Sequence, residues 1–135
     1  MKRILTYGTF DIIHSGHINL LSRARELGGQ LYVGLSTDAF NSIKHKQSVL
    51  NFLNRKIILE SIRYVDFVFA EESWEQKEAD IDKYDIDVLV MGDDWAGEFD
   101  SLRQYCEVVY LPRTPDISTT MLKKDCFNIE SMAHG

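Results

Sequence analysis

Cysteine is nearly absent from this chain of 135 residues. The two that occur, Cys106 and Cys126, cannot build a disulfide framework and fit a reducing cytosol. Long apolar runs are missing too. None approaches a membrane span, and Lys2-Arg3 before five mostly apolar residues is too short for a signal peptide. Positive charge is in the minority, 15 Lys and Arg against 21 Asp and Glu, and the formal net charge of -6 argues against nucleic acid and anionic membrane as partners. It does not argue against an anionic nucleotide, because local charge governs a pocket. No G-x-G-x-x-G follows the first apolar run, which disfavours a plain NAD-binding domain, and the G-x-x-x-x-G-K-[ST] loop of ATPases is missing. No serine–histidine–acid or cysteine–histidine arrangement points to a covalent intermediate. What remains is one cytoplasmic domain by size, able to bury a sizeable core.

What is present gathers around YGTFDIIHSGHINLL, residues 7–21. The apolar run at 3–7 reads as a buried strand, and Ile18, Leu21 and Arg25 with Leu20 and Ala24 recur at helical spacing. Between strand and helix stand Gly8, Thr9, Asp11, His14, Ser15, Gly16 and His17. A strand that feeds a helix through such a corner brings free backbone N–H groups and the positive helix end to one point, a seat for phosphate. His14 and His17 are three apart, so both can face one anion. Two other readings remain: a metal pair, with Asp11 as a thin third ligand, or a structural corner in which Ser15 caps the helix.

The rest of the chain alternates strand and helix. A first helix is predicted over about 17–27, stopped by Gly28-Gly29, then a strand over 30–35. Residues 39–53 show neither periodicity. Asn51 or Asn54 caps a second helix carrying Ile57, Ile58 and Ile62. Strands are predicted at 65–70, 87–91 and 107–111, with a charged helix over 76–84 and a short one ending in 102–106. Pro112 stops the last strand, and Ser118 or Thr119 caps a final helix. This pattern predicts an α/β fold built from a βαβ start.

Several charged residues admit two readings. Lys44 and Lys46 are either a solvated pair or phosphate ligands on a loop that leaves the same sheet edge as the histidines. Arg55 and Arg63 are surface charges or phosphate forks. Lys77 is solvated unless it meets a substrate. Asp94 could hold magnesium, orient a base or cap a helix; against a triphosphate it is assigned to positioning. Trp74 is a packing residue or part of a subunit contact, and Trp95 stacks on a sugar or base or packs in the wall.

At Gly8-Thr9-Phe10-Asp11 through His14-Ser15-Gly16-His17 the chain resembles the cytidylyltransferases, within the nucleotidylyltransferase superfamily marked by His-x-Gly-His after the first strand. Arg63-Tyr64-Val65-Asp66, Gly92-Asp93-Asp94-Trp95 and the stretch Arg113-Thr114-Pro115-Asp116-Ile117-Ser118-Thr119-Thr120 resemble the later signatures in order. The resemblance spans about residues 3–122. It implies a Rossmann-like, doubly wound, five-stranded parallel sheet with helices on both faces, in a domain over 1–125 followed by a tail over 126–135. It implies catalytic roles for His14, His17, Arg63 and Arg113. It places Thr9, Phe10, Lys46, Asp94, Thr114, Ile117, Ser118, Thr119 and Thr120 with these histidines and Arg113 on the nucleotide. Lys44, Arg55 and Lys77 fall on the acceptor; residues 47–54 depart from the family pattern, which leaves the register of Arg55 open. No resident metal is implied. Magnesium travels with CTP, and a homodimer is expected.

The branch most similar to these segments uses CTP and sn-glycerol 3-phosphate and makes CDP-glycerol for teichoic acid. The implied reaction is direct in-line attack of the acceptor phosphate on the α-phosphorus of CTP, releasing diphosphate. An acceptor phosphate is already ionised, so alignment and charge stabilisation are the protein's task. The alternatives keep the histidine corner and change the partner: phosphoethanolamine, phosphocholine or, with ATP, FMN as acceptor. A CTP-binding regulatory domain without catalysis is a further rival.

Overall fold

The computed structural model describes residues 1–113. Five strands form one parallel sheet: β1 (Lys2–Gly8), β2 (Gly29–Ser36), β3 (Phe67–Glu71), β4 (Val88–Gly92) and β5 (Glu107–Leu111). Their order is β3-β2-β1-β4-β5, so β1 lies at the centre. Its alternation explains why. Ile4 and Leu5 point to opposite faces, and both are wholly buried in separate apolar clusters. Each such side chain stabilises the fold by about 2 kcal/mol through burial.

Helices cover both faces. Helix α1 (Ser15–Glu26) and α3 (Phe52–Glu60) supply Leu21, Ala24 and Leu59 to the cluster containing Ile4. Helix α4 (Lys77–Lys83) and the 3-10 turn Asp100–Gln104 close the other face, where Ile81 and Leu102 pack with Leu5 and Leu89. A five-stranded parallel sheet of the expected class is therefore present, with each predicted strand displaced by at most two residues at either end.

Two local readings are corrected. The first helix begins at Ser15, with His14 and not Ser15 as its cap. The unassigned stretch contains a short helix, α2 (Asp38–Ile43), because the Thr37 side chain accepts the Phe40 N–H and starts it. Asn51 caps α3 by accepting the Asn54 N–H. The expected final helix, the boundary at 125, and Thr114, Ile117, Ser118, Thr119 and Thr120 lie outside the described residues.

In an open parallel sheet, ligands bind beyond the carboxyl ends of the strands where the strand order reverses. Here that point falls between β1 and β4, with β2 and β3 on one side and β5 on the other.

Candidate active site

A cavity of about 450 Å³ opens at this switch point. Gly8 at the end of β1 and Met91 and Gly92 at the end of β4 form its floor, and His14, His17, Thr9, Phe10, Lys46, Asp94, Trp95 and Arg113 line it. The structure thus brings together seven of the predicted site residues from four separated segments, with Trp95 beside them.

The histidines are held by the helix start itself. His14 is the cap of α1, and its Nδ1 accepts the Gly16 N–H at 3.0 Å. Three residues on, His17 reaches back, so that its Nδ1 accepts the His14 N–H at 3.2 Å. This is a capping box built from two imidazoles. Since each Nδ1 is an acceptor, each neutral ring carries its proton on Nε2. The rings stack with centroids 3.9 Å apart, and Phe10 packs on His17 at 5.4 Å. Phe10 adopts φ 45°, and a Cβ on Gly8 would come within 2.7 Å of its ring, so glycine there is what lets the corner close.

Electrostatics keep both rings neutral in the free chain. Burial, then neighbouring His14 and Arg113, push the His17 imidazole down to about 4. Burial and Arg113 lower His14 in the same direction. Protonating either ring on Nδ1 would also break the cap it forms. Two neutral Nε2–H donors beside the positive end of α1 can bind growing negative charge with little reorganisation. Arg113 approaches Asp94 at 3.9 Å across the cavity, and both side chains remain about half exposed. Among the described residues no group of three or more His, Cys, Asp and Glu is placed to hold a metal ion. Asp11 in particular is committed elsewhere: its two carboxylate oxygens accept the N–H groups of Val49 at 2.7 Å and Leu50 at 2.8 Å.

The remaining predicted residues separate into two groups. Lys44 and Lys77 converge on Trp74, with Nζ atoms 5.8 and 5.2 Å from its ring centroid. Lys44 is half-buried, and burial ahead of the charges of Lys46 and Lys77 brings its ammonium down to about 8. Trp74 packs edge-on to Phe40 and meets Trp95, and of the two only Trp95 lines the cavity. Arg55 and Arg63 are not in that company. The Arg55 side chain is wholly buried and donates to the carbonyls of Thr9, Ser36 and Leu50 and to the Asp38 carboxylate. It ties the corner to the segment before α3 and presents no face to an acceptor. Arg63 precedes β3 and therefore sits at the amino edge of the sheet, opposite the cavity; its guanidinium lies against the Tyr64 hydroxyl at 2.7 Å. Its neighbour Asp66 fixes local structure, accepting the Leu31 N–H and pairing with Arg25.

Sequence reasoning missed the roles of three contributors. Asp11 pins residues 49 and 50, which follow Lys46 around the cavity. Asn41, buried, accepts from Thr9 and Ser36 hydroxyls and gives its carbonyl to the Lys46 N–H. Glu71 pairs with Lys77 at 2.8 Å. Glu71 stands at the end of a strand, six residues before the lysine, and that spacing was the available signal.

These features define a nucleotidyl-transfer site, and comparison with known proteins agrees. The chain belongs to the cytidylyltransferase-like family, whose model matches residues 5–125. Within it, the chain is 59% identical to the glycerol-3-phosphate cytidylyltransferase of Staphylococcus aureus, over 94% of this chain and 96% of that protein. It is 58% identical to the Bacillus subtilis protein of the same name, over 93% and 97%. A lipopolysaccharide core biosynthesis protein from Thermoplasma volcanium shares the fold, with a TM-score of 0.72, 20% identity, and coverage of 84% of this chain and 98% of that one.

Proposed function

We infer that the chain transfers the cytidylyl group of CTP to sn-glycerol 3-phosphate, giving CDP-glycerol, a teichoic acid precursor, and diphosphate. One observation carries the chemistry: two imidazoles whose Nδ1 atoms are both engaged by the start of α1, leaving their protons on Nε2 in the wall of the cavity. The choice of acceptor is supported by the near full-length likeness to the two proteins named above.

The acceptor phosphate oxygen forms a bond to the α-phosphorus as the bond to the bridging oxygen of diphosphate breaks, so negative charge grows on the leaving oxygen. His14 and His17 meet that charge with hydrogen bonds, and the N–H groups opening α1 add to them. Arg113 balances the triphosphate from the β5 side. Lys44, with Lys77 behind it, draws the acceptor phosphate toward the cavity mouth. Magnesium enters as part of the CTP complex, which reduces repulsion between the triphosphate and Asp94. No base is needed, since the acceptor is already an anion.

The same reading carries a cytoplasmic homodimer. Among the described residues no helix is long and apolar enough to cross a membrane. Leu53 and Ile57, one turn apart on α3, are 62% and 53% exposed and offer an apolar patch for a second copy. Diphosphate release measured with CTP or ATP against glycerol 3-phosphate, phosphoethanolamine, phosphocholine and FMN tests the function. Turnover only with another pair would replace the acceptor or base and leave the class standing.

A further inference from the structure

Lys77 opens α4 with a side chain that turns inward and is 6% exposed. Its Nζ donates to the Glu71 carboxylate at 2.8 Å and lies 4.6, 5.2 and 5.4 Å from the rings of Tyr7, Trp74 and Phe99. Three aromatic faces and one carboxylate around an ammonium are the composition of a receptor for alkylammonium ligands. The cage is rigid. Gly34 faces Tyr7 across the β1–β2 pairing, and any side chain there would collide with the Tyr7 ring. The Tyr7 hydroxyl donates to Asp80 at 2.7 Å, which fixes the ring from its far end.

The cage also adjoins the active site. Tyr7 lines both, and Trp95 of the cavity wall packs on Trp74 at 6.1 Å and on Phe99 at 5.6 Å. On the outer side of Trp74 stands Lys44, whose Nζ lies 4.6 Å over Phe40. Trp74 is 44% exposed, so the cage has a wall that reaches solvent.

We propose that Lys77 sets the class of acceptor by filling this cage with its own ammonium, so that aminoalkyl phosphates are excluded and neutral polyol phosphates are used. This rests on the reading of the chain as a cytidylyltransferase acting on an alcohol phosphate. A phosphate held at Lys44 places the acceptor's organic end within reach of Trp74. There a hydroxylated end meets a cage in which the charge of Glu71 is already matched by Lys77. An ammonium end meets the Lys77 cation with Glu71 taken and with Asp80 held by the Tyr7 hydroxyl and the Gln76 amide.

The experiment compares wild type, Lys77→Ala and Lys77→Met, with CTP and either glycerol 3-phosphate or phosphoethanolamine, with and without ethylammonium chloride. Alanine empties the cage and exposes Glu71, whereas methionine refills it without charge. Lys77→Ala is expected to shift the kcat/KM ratio toward phosphoethanolamine by about thirtyfold, the size of a desolvated cation–π contact. Ethylammonium chloride is expected to raise its melting temperature and to restore part of its turnover of glycerol 3-phosphate. Lys77→Met is expected to stay closed to both amines. A folded Lys77→Ala, judged by CTP binding, that responds to neither amine overturns the proposal. So does a Lys77→Met that gains phosphoethanolamine turnover, a result readable even if the alanine variant does not fold. Wild type using both acceptors equally well overturns the cage and keeps the cytidylyltransferase. Wild type using no acceptor with CTP sinks both.

Discussion

Asp11 and Arg55 grip the two sides of one residue. The Leu50 N–H donates to the Asp11 carboxylate at 2.8 Å, and the Leu50 carbonyl accepts from Arg55 Nε at 3.0 Å. The segment that carries Lys46 past the cavity is therefore anchored at its far end by two buried charges from different elements. Arg55→Met removes the donor shared by three carbonyls and Asp38, and is expected to lower stability by about 3 kcal/mol in urea unfolding. Asp11→Ala is expected to cost about 1–3 kcal/mol and to raise KM for CTP more than it lowers kcat, since the segment carrying Lys46 loses its anchor. An Asp11→Ala enzyme with wild-type KM would show that the anchor does not shape the nucleotide site.

The imidazole pair should matter most when charge moves. His17→Ala deletes one Nε2–H donor and also opens the cap, since the His14 N–H loses its acceptor. By analogy with one oxyanion donor, kcat/KM is expected to fall by roughly 3–4 kcal/mol, a few hundredfold or more. His17→Asn keeps a polar side chain for the cap but cannot reach the same point, so it should recover stability before it recovers rate. Steady-state kinetics beside thermal melts separates the two effects. A loss below about tenfold in a folded His17→Ala would remove the histidine from the transition state.

The division between what sequence disclosed and what it hid follows the range of the forces involved. Strands such as the β4 run around Val88–Gly92 are continuous apolar segments bounded by polar ones, a local pattern. The histidine corner was legible for the same reason, being one turn long. Arg55 was not. An arginine on a helix reads as a surface charge, and only the return of residues 9, 36 and 50 to one place makes it a buried tie. Arg63 lies apart from the cavity in the single chain for a topological reason: parallel strands put the start of β3 at the opposite edge of the sheet. The cage around Lys77 was illegible, because Tyr7, Trp74 and Phe99 are far apart in the chain.

If Lys44 receives the acceptor phosphate as proposed, binding of the acceptor depends on pH on the alkaline side. The Lys44 ammonium, brought down to about 8, is charged at pH 7 and loses its proton as pH rises past 8. Attraction for the acceptor phosphate is therefore complete below about pH 7 and fades above 8. KM for glycerol 3-phosphate is expected to rise between pH 7.5 and 9.5, approaching about tenfold per pH unit at the upper end. Lys44→Arg keeps its charge throughout and should flatten that rise. If both enzymes show the same profile, the dependence belongs to another group.

Acid should weaken the corner before it touches the sheet. The ordinary His pKa of 6.5 applies to the unfolded chain, while burial, then His14 and Arg113, hold His17 in the fold at about 4. The unfolded chain thus binds the extra proton between these two values, and its uptake favours unfolding. The contribution of neutral His17 is whole above pH 6.5 and is lost as pH falls toward 4, to a limit of about 3 kcal/mol. His14 shifts in the same direction, so its loss has the same sign. Urea unfolding at pH 7, 6 and 5 should show wild type losing stability faster than His17→Gln, which has no proton to take up. Part of the depression comes from Arg113 by direct repulsion across a partly exposed cavity, and salt screens such repulsion. Raising ionic strength should therefore shrink the difference between the two proteins without abolishing it, because the burial contribution does not respond to salt. Parallel pH curves for wild type and His17→Gln would mean that the imidazole is solvated and free to charge, and the neutral-donor account of the site would fall with them.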